Sequence, residues 1–164
     1  MPVVSNTSPI LNLAIIGQLD LMRQQFGEIS IPPAVQAELM LGSGFPGTPL
    51  IEQAIDSGWL HVQNLERIDL AHVLQRELDG GESEAIALAV QLGVRTVLMD
   101  EHAGRAAAHS LGLTPIGVLG VLLRAKQAGA LNSVADAMRA LRVEAGFFIA
   151  EPLYQQILRA AGET

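Results

Sequence analysis

The sequence predicts an α/β fold in which a mostly parallel sheet is covered by helices on both sides. Three observations carry that expectation. Short apolar runs that read as strands alternate with helical stretches along the whole chain. Helical stretches stop on glycines such as Gly17, Gly93, Gly112 and Gly129, so the connections are short. Hydrophobic residues make up 49% and aromatics only 4%, so Leu, Ile, Val and Ala must fill the core.

In chain order, Val3-Val4 reads as a first short strand. Ser5-Asn6-Thr7-Ser8 follows as a polar turn and cap cluster, with Pro9 in the first turn of a helix that runs through Ile16. A short helix from Asp20 to Gln25 and a strand from Glu28 to Ile31 come next. Pro32-Pro33 opens a helix through Glu38 to about Leu41. Gly42 to Pro49 is a Gly/Pro-rich loop, too short for a domain linker. A helix from Leu50 to Ser57, a strand from Trp59 to Gln63 and a helix from Leu70 to Leu78 follow. Gly80-Gly81 breaks the chain before a helix from Glu82 to Leu92. Arg95 to Met99 is a central strand by its apolar run. Then come a helix from Ala103 to Leu111, a strand at Thr114-Pro115-Ile116 and a helix from Val118 to Ala128. Asn132-Ser133 caps a helix to Glu144, Phe147 to Ala150 reads as a last strand, and Glu151 to Ala161 closes the chain as a helix.

The 164 residues suggest one domain, 1–164, long enough to bury a real core. No apolar run reaches the roughly 18 residues of a membrane span, and no basic-then-apolar leader is visible at the N-terminus. The absence of cysteine removes disulfides and thiolate metal sites and agrees with a cytoplasmic location. A net charge of −7 counts against broad electrostatic binding to nucleic acid. Carboxylates that bind cations contribute several of those charges and are neutralised in use.

Four stretches place an acidic or amide side chain where a sheet-based metal site needs one. Asn6 follows the first strand and Asp100 ends the strand Thr96 to Met99. In an open parallel sheet, ligands gather outside the carboxyl ends of strands. Asn6 reads equally as a helix cap, and Asp100 as a cap ahead of Ala103. Glu38 sits on the helix opened by Pro32-Pro33, where a solvated surface carboxylate is the ordinary reading. Glu82 and Glu84 both complement the helix dipole in a first turn. Two residues apart on a helix, they point about 200° apart. Glu82 shares its face with Ala85, Ile86 and Ala89, and a carboxylate on that buried side needs a partner, which makes it the stronger candidate. Arg105, one turn beyond Asp100, can pair with it or reach a phosphate. The four histidines lack metal-ligand spacing, Ser5, Ser8 and Ser83 lack a nucleophile-elbow context, and the glycine runs fit no phosphate loop or dinucleotide fingerprint.

Together these stretches resemble the PIN-domain family, in particular the small prokaryotic PIN-like proteins of the toxin–antitoxin type. The matching pieces are Val3 to Ile10, Ile31 to Glu38, Gly81 to Ala89, Leu98 to Glu101 and Gly117 to Gly120, and their order and spacing carry the likeness across about residues 2 to 130. The resemblance implies a three-layer α/β/α fold and a metal-dependent single-strand ribonuclease. It assigns Asn6, Glu38, Glu82 and Asp100 to the catalytic site. Glu38, Glu82 and Asp100 match the acidic positions that hold Mg²⁺ or Mn²⁺, which activates water and stabilises the leaving oxygen. Ser8, Glu84, Glu101 and Arg105 are accessory candidates. It also implies single-stranded RNA as substrate, an antitoxin protein as partner and a homodimer. The departure is Asn6, where the family has Asp. An amide can accept a metal or hold a water but carries no charge. A non-catalytic PIN-like module that binds RNA or a protein is therefore the alternative, and a small-molecule hydrolase on a similar sheet a more distant one.

Overall fold

The computed structural model describes residues 2–41 and 44–164, so Gly42 and Ser43 of the expected loop lie outside the described residues. Five three-residue strands build one sheet: β1 (Val3–Ser5), β2 (Ile29–Ile31), β3 (Leu60–Val62), β4 (Thr96–Leu98) and β5 (Thr114–Ile116). They run in the order β3-β2-β1-β4-β5, and every pairing among them is parallel. Registers such as Val3↔Ile29, Val4↔Val97 and Leu98↔Ile116 bring the strand ends level. The chain builds one half of the sheet outward from β1 through β2 to β3, then returns to its other side for β4 and β5. The switch point therefore falls between β1 and β4, where ligands bind in open α/β sheets. Pro115 cannot donate to a ladder, and it sits in β5, an edge strand where that costs least.

Ten helices flank the sheet among the described residues. They are α1 (Thr7–Ile15), α2 (Asp20–Phe26), α3 (Pro33–Leu41), α4 (Thr48–Asp56), α5 (Ile68–Leu74), α6 (Gly80–Leu92), α7 (His102–Ser110), α8 (Val118–Gln127), α9 (Val134–Glu144) and α10 (Glu151–Ala160). Side-chain alternation along the strands feeds two separate cores. Val3, Ile29, Ile31, Leu60 and Leu98 face one layer with α1, α2, α3, α4, α8 and α9. Val4, Val97 and Met99 face the other, packed on Ala85, Ile86, Leu88 and Ala89 of α6 and on Ala108 of α7. Strands this short are stable because both of their faces are covered. The result is the expected three-layer α/β/α arrangement.

Three expectations need correction. Gly80 and Gly81 do not break the chain but form the first turn of α6, capped by Asp79. The helix expected over Leu70 to Leu78 runs instead from Ile68 to Leu74 and gives way to turns, although Leu78 remains buried. The strand expected at Phe147 to Ala150 is not a strand. Phe147 N–H donates to Leu141 O at 2.9 Å, and Arg142 Nη2 donates to Ile149 O at 2.8 Å, so part of the segment's backbone bonding goes to α9 rather than to a sheet edge. The short apolar run that reads as a strand instead places Ile149 in the core while Phe148 stands 84% exposed.

Candidate functional site

Asn6 leaves the carboxyl end of β1 and occupies the N-cap of α1, with extended backbone at φ −79° and ψ 175°. Its N–H continues the sheet by donating to Leu98 O at 2.9 Å. Its side chain makes no cap hydrogen bond. The residue is 4% exposed and its Oδ1 has no hydrogen-bond partner. The capping reading of Asn6 is therefore wrong in its chemistry. The position is a cap, but the amide oxygen faces elsewhere.

It faces α6. A Cβ built on Gly81 would lie 3.0 Å from Asn6 Oδ1 and in overlap with Glu38 Oε1. Glycine at 81 is thus what lets the Asn6 amide and the Glu38 carboxylate approach the same stretch of backbone. Glu38 reaches this point because α3 buries Val35 and Leu39 in the core and turns the carboxylate toward α6. Its other oxygen, Oε2, accepts from Thr7 Oγ1 at 2.7 Å.

Glu82 follows Gly81 and is 6% exposed. It belongs to a capping box: Asp79 Oδ1 accepts from Glu82 N–H at 2.8 Å, and Glu82 Oε1 accepts from Asp79 N–H at 3.3 Å. Its second oxygen, Oε2, is buried without a partner. A Cβ on Gly104 of α7 would come within 2.7 Å of that oxygen. Burial, reinforced by the Asp79 and Glu101 carboxylates, raises the Glu82 pKa to about 7, against the opposing pull of the Asp79 N–H.

Asp100 lies past β4. It does not cap α7; its Oδ1 accepts from Val118 N–H at 2.8 Å, in the first turn of α8. Oδ2 is left buried and unpartnered. Burial pushes its pKa up and the Glu101 charge adds to this. The Val118 N–H, the Arg105 guanidinium and the Ser8 hydroxyl pull it down. Arg105 Nη1 donates to Met99 O at 3.0 Å, which fixes the guanidinium beside the strand end. Gly117 is the third close approach, since a Cβ there would sit 2.7 Å from Asp100 Oδ1 and 3.2 Å from Arg105 Nη1.

The accessory candidates divide. Ser8 and Arg105 lie beside Asp100, and Glu101 acts electrostatically on both Glu82 and Asp100. Glu84 points the other way. Its Oε1 accepts from Ala34 N–H at 3.0 Å and satisfies a free donor in the first turn of α3, so it docks α6 on α3. Thr7, Asp79 and the three glycines were missed. The Asp79-x-x-Glu82 spacing is a capping-box signature visible in the sequence. The glycines carried no signal beyond a chain break, because what they approach is remote in sequence.

No three Asp, Glu or His side chains among the described residues converge as a closed metal cage requires. Glu38 lies against Gly81 and Thr7, Glu82 against Gly104, and Asp100 against Gly117, so a cation among them would be held in part through water rather than by three direct carboxylate ligands. The donor chemistry nevertheless fits a hard divalent cation. The free donors are oxygens, and buried oxygens without partners are costly unless something binds them. Four buried side-chain atoms lack a partner among the described residues. Three are Asn6 Oδ1, Glu82 Oε2 and Asp100 Oδ2, and only the fourth, Gln25 Oε1, belongs to no candidate site residue.

Fold and site define an α/β protein with an oxygen-rich, partly acidic site at the switch point of a parallel sheet. A family model described as DUF3368, a PIN domain, matches residues 2–163, and the chain belongs to the PIN-domain family. PIN domains are generally nucleases and typically use divalent metals, which makes this chain a nuclease-type hydrolase module. No curated protein matches it significantly. Among the described residues no helix is long and apolar enough to cross a membrane.

Proposed function

We propose that the chain is an Mg²⁺- or Mn²⁺-dependent endoribonuclease acting on single-stranded RNA. The observation that carries this reading is the trio of buried, unpartnered oxygens on Asn6, Glu82 and Asp100, next to Glu38 and at the switch point of the sheet. Asn6, Glu38, Glu82 and Asp100 would hold the cation, in part through bridging water. When bound, it supplies an activated water and charge stabilisation at the leaving oxygen. The chain's own groups do the rest. Thr7 holds Glu38 in place, the capping box holds Glu82, and the Val118 N–H holds Asp100, so each donor reaches the site on a rigid element. The Arg105 guanidinium, fixed on Met99 O, can take the charge of a phosphate oxygen. Glu82, with its pKa near neutrality, releases a proton when a cation binds.

The likeness to small prokaryotic PIN proteins supports a role as the toxin of a toxin–antitoxin pair, in the cytoplasm and as a homodimer. Cleavage of mixed single-stranded RNA with and without Mn²⁺ tests the enzyme reading. Metal-dependent cleavage is expected, and Asp100→Asn should reduce it beyond the roughly 10- to 100-fold typical of changes to outer-shell partners. Absence of both divalent binding and cleavage would favour the non-catalytic module, for which Asn6 in place of a carboxylate is the supporting observation.

A further inference from the structure

Beside Asp100 runs a groove of about 540 Å³, a volume that suits one ligand-sized group. Residues at the end of β5 and the start of α8 line it. It is lined by Arg105 and Arg124 together with Phe147, Phe148 and Leu153 from the C-terminal segment. Two features single it out. First, the chain has ten Lys and Arg against seventeen Asp and Glu, and Arg23, Arg67, Lys126, Arg139 and Arg142 are each paired with an acid. Among the described residues Arg105 and Arg124 form no salt bridge; Arg105 acts electrostatically on Asp100 and Arg124 lies over the Phe26 ring at 6.0 Å, so the groove offers two guanidiniums without a salt-bridge partner to a polyanion. Second, the chain has only six aromatic residues, and two of its four phenylalanines are here. Phe148 is 84% exposed, yet its backbone is held on both sides. Gly146 turns the chain at φ +64°, Phe147 N–H bonds Leu141 O, and Arg142 clamps Ile149 O while Ile149 is buried. An exposed ring on a fixed backbone is a preorganised stacking platform.

Resting on the nuclease reading, we propose that this groove is the subsite for the nucleotide next to the scissile phosphate. Its base stacks on Phe148 and its phosphate pairs with Arg124 and Arg105, which leaves the neighbouring phosphodiester at Asp100. Single-strand binders combine unpaired cations with aromatic faces in this way, and stacking is sequence-tolerant because every base has a π-face.

The test is fluorescence anisotropy of a fluorescein-labelled eight-nucleotide oligouridine with the full chain in EDTA, where no cleavage occurs. Phe148→Ala should weaken binding about tenfold, the lower part of the range for losing one stacked base. Phe148→Trp should restore it, Phe148→Leu should not, and Arg124→Glu should weaken it to a similar degree. Equal binding by the parent, Phe148→Ala and Phe148→Leu proteins, or no binding by the parent, would overturn the subsite. So would a change of mass in light scattering on Phe148→Ala, which would make the patch an interface between copies. Cleavage separates the two claims. An oligonucleotide bound through Phe148 but never cut in Mn²⁺ leaves the subsite standing and removes the nuclease. Unchanged KM in Phe148→Ala with normal cleavage does the reverse.

Discussion

On the proposed nuclease reading, Asn6 is the residue whose substitution is most informative. Its side chain caps nothing, so Asn6→Ala should leave unfolding stability within about 0.5 kcal/mol of the parent, rather than costing the roughly 1 kcal/mol of a lost cap. RNA cleavage should fall sharply in the same protein; unchanged cleavage would take Asn6 out of the site. Asn6→Asp adds a charge in a partly desolvated position and should tighten divalent-metal binding about tenfold or more by calorimetry. Glu82 sets a pH dependence of stability. Its folded pKa, about 7, lies above its ordinary value of 4.5, so the folded state holds the proton more tightly than the unfolded chain. The contribution is fully present below pH 4.5 and is lost as pH rises toward 7. Denaturant melts in EDTA should therefore show stability falling by about 1–3 kcal/mol across that window. Glu82→Gln keeps the capping geometry and should flatten the dependence. A parent protein equally stable at both ends would show that Glu82 titrates normally.

At the scale of elements, three helices approach the site through glycine. Gly81 opens α6 toward Asn6 and Glu38, Gly104 lets α7 pass Met99 and Glu82, and Gly117 precedes α8 beside Asp100 and Arg105. Adjacent glycines make a controlled comparison. A Cβ on Gly80 would meet nothing within 4 Å, whereas one on Gly81 would overlap Glu38. Gly80→Ala should be neutral or stabilising, within about 1 kcal/mol, with activity intact, because Ala is the better helix former. Gly81→Ala has the same propensity gain but displaces Glu38 and Asn6, so activity should be lost, and stability should drop by about 1–3 kcal/mol from overpacking. Equal activity in both variants would show that the close approach at 81 is not required.

For the whole molecule, charge distribution matters more than net charge. With a total of −7 and half of the ten cations tied to acids, the proposed subsite beside Asp100 relies on the two arginines that line it. Two phosphate contacts on a single strand predict a shallow salt dependence, with log K against log salt falling at a slope of roughly −1.4. Anisotropy titrations from low to physiological salt measure it directly. A slope steeper than about −4 would require several more cations than the groove supplies.

The sequence by itself determined the layer plan, because strand and helix periods and glycine stops are local properties. The stretches read as strands at Val3-Val4, Glu28 to Ile31, Arg95 to Met99 and Thr114 to Ile116 each contain one, within a residue at either end, and Glu82 is the buried member of its pair because 3.6-residue periodicity places it beside Ala85, Ile86 and Ala89. What periodicity does not carry is which groups meet across the fold. Phe147 to Ala150 has the apolar run of a short strand but binds α9 through Leu141 and Arg142. Glu84 has the composition of a site residue but caps α3, and Asp100 reaches across to α8 instead of α7. Those outcomes depend on long-range approach distances, set by how two cores pack on opposite faces of one sheet, and only the tertiary structure decided them.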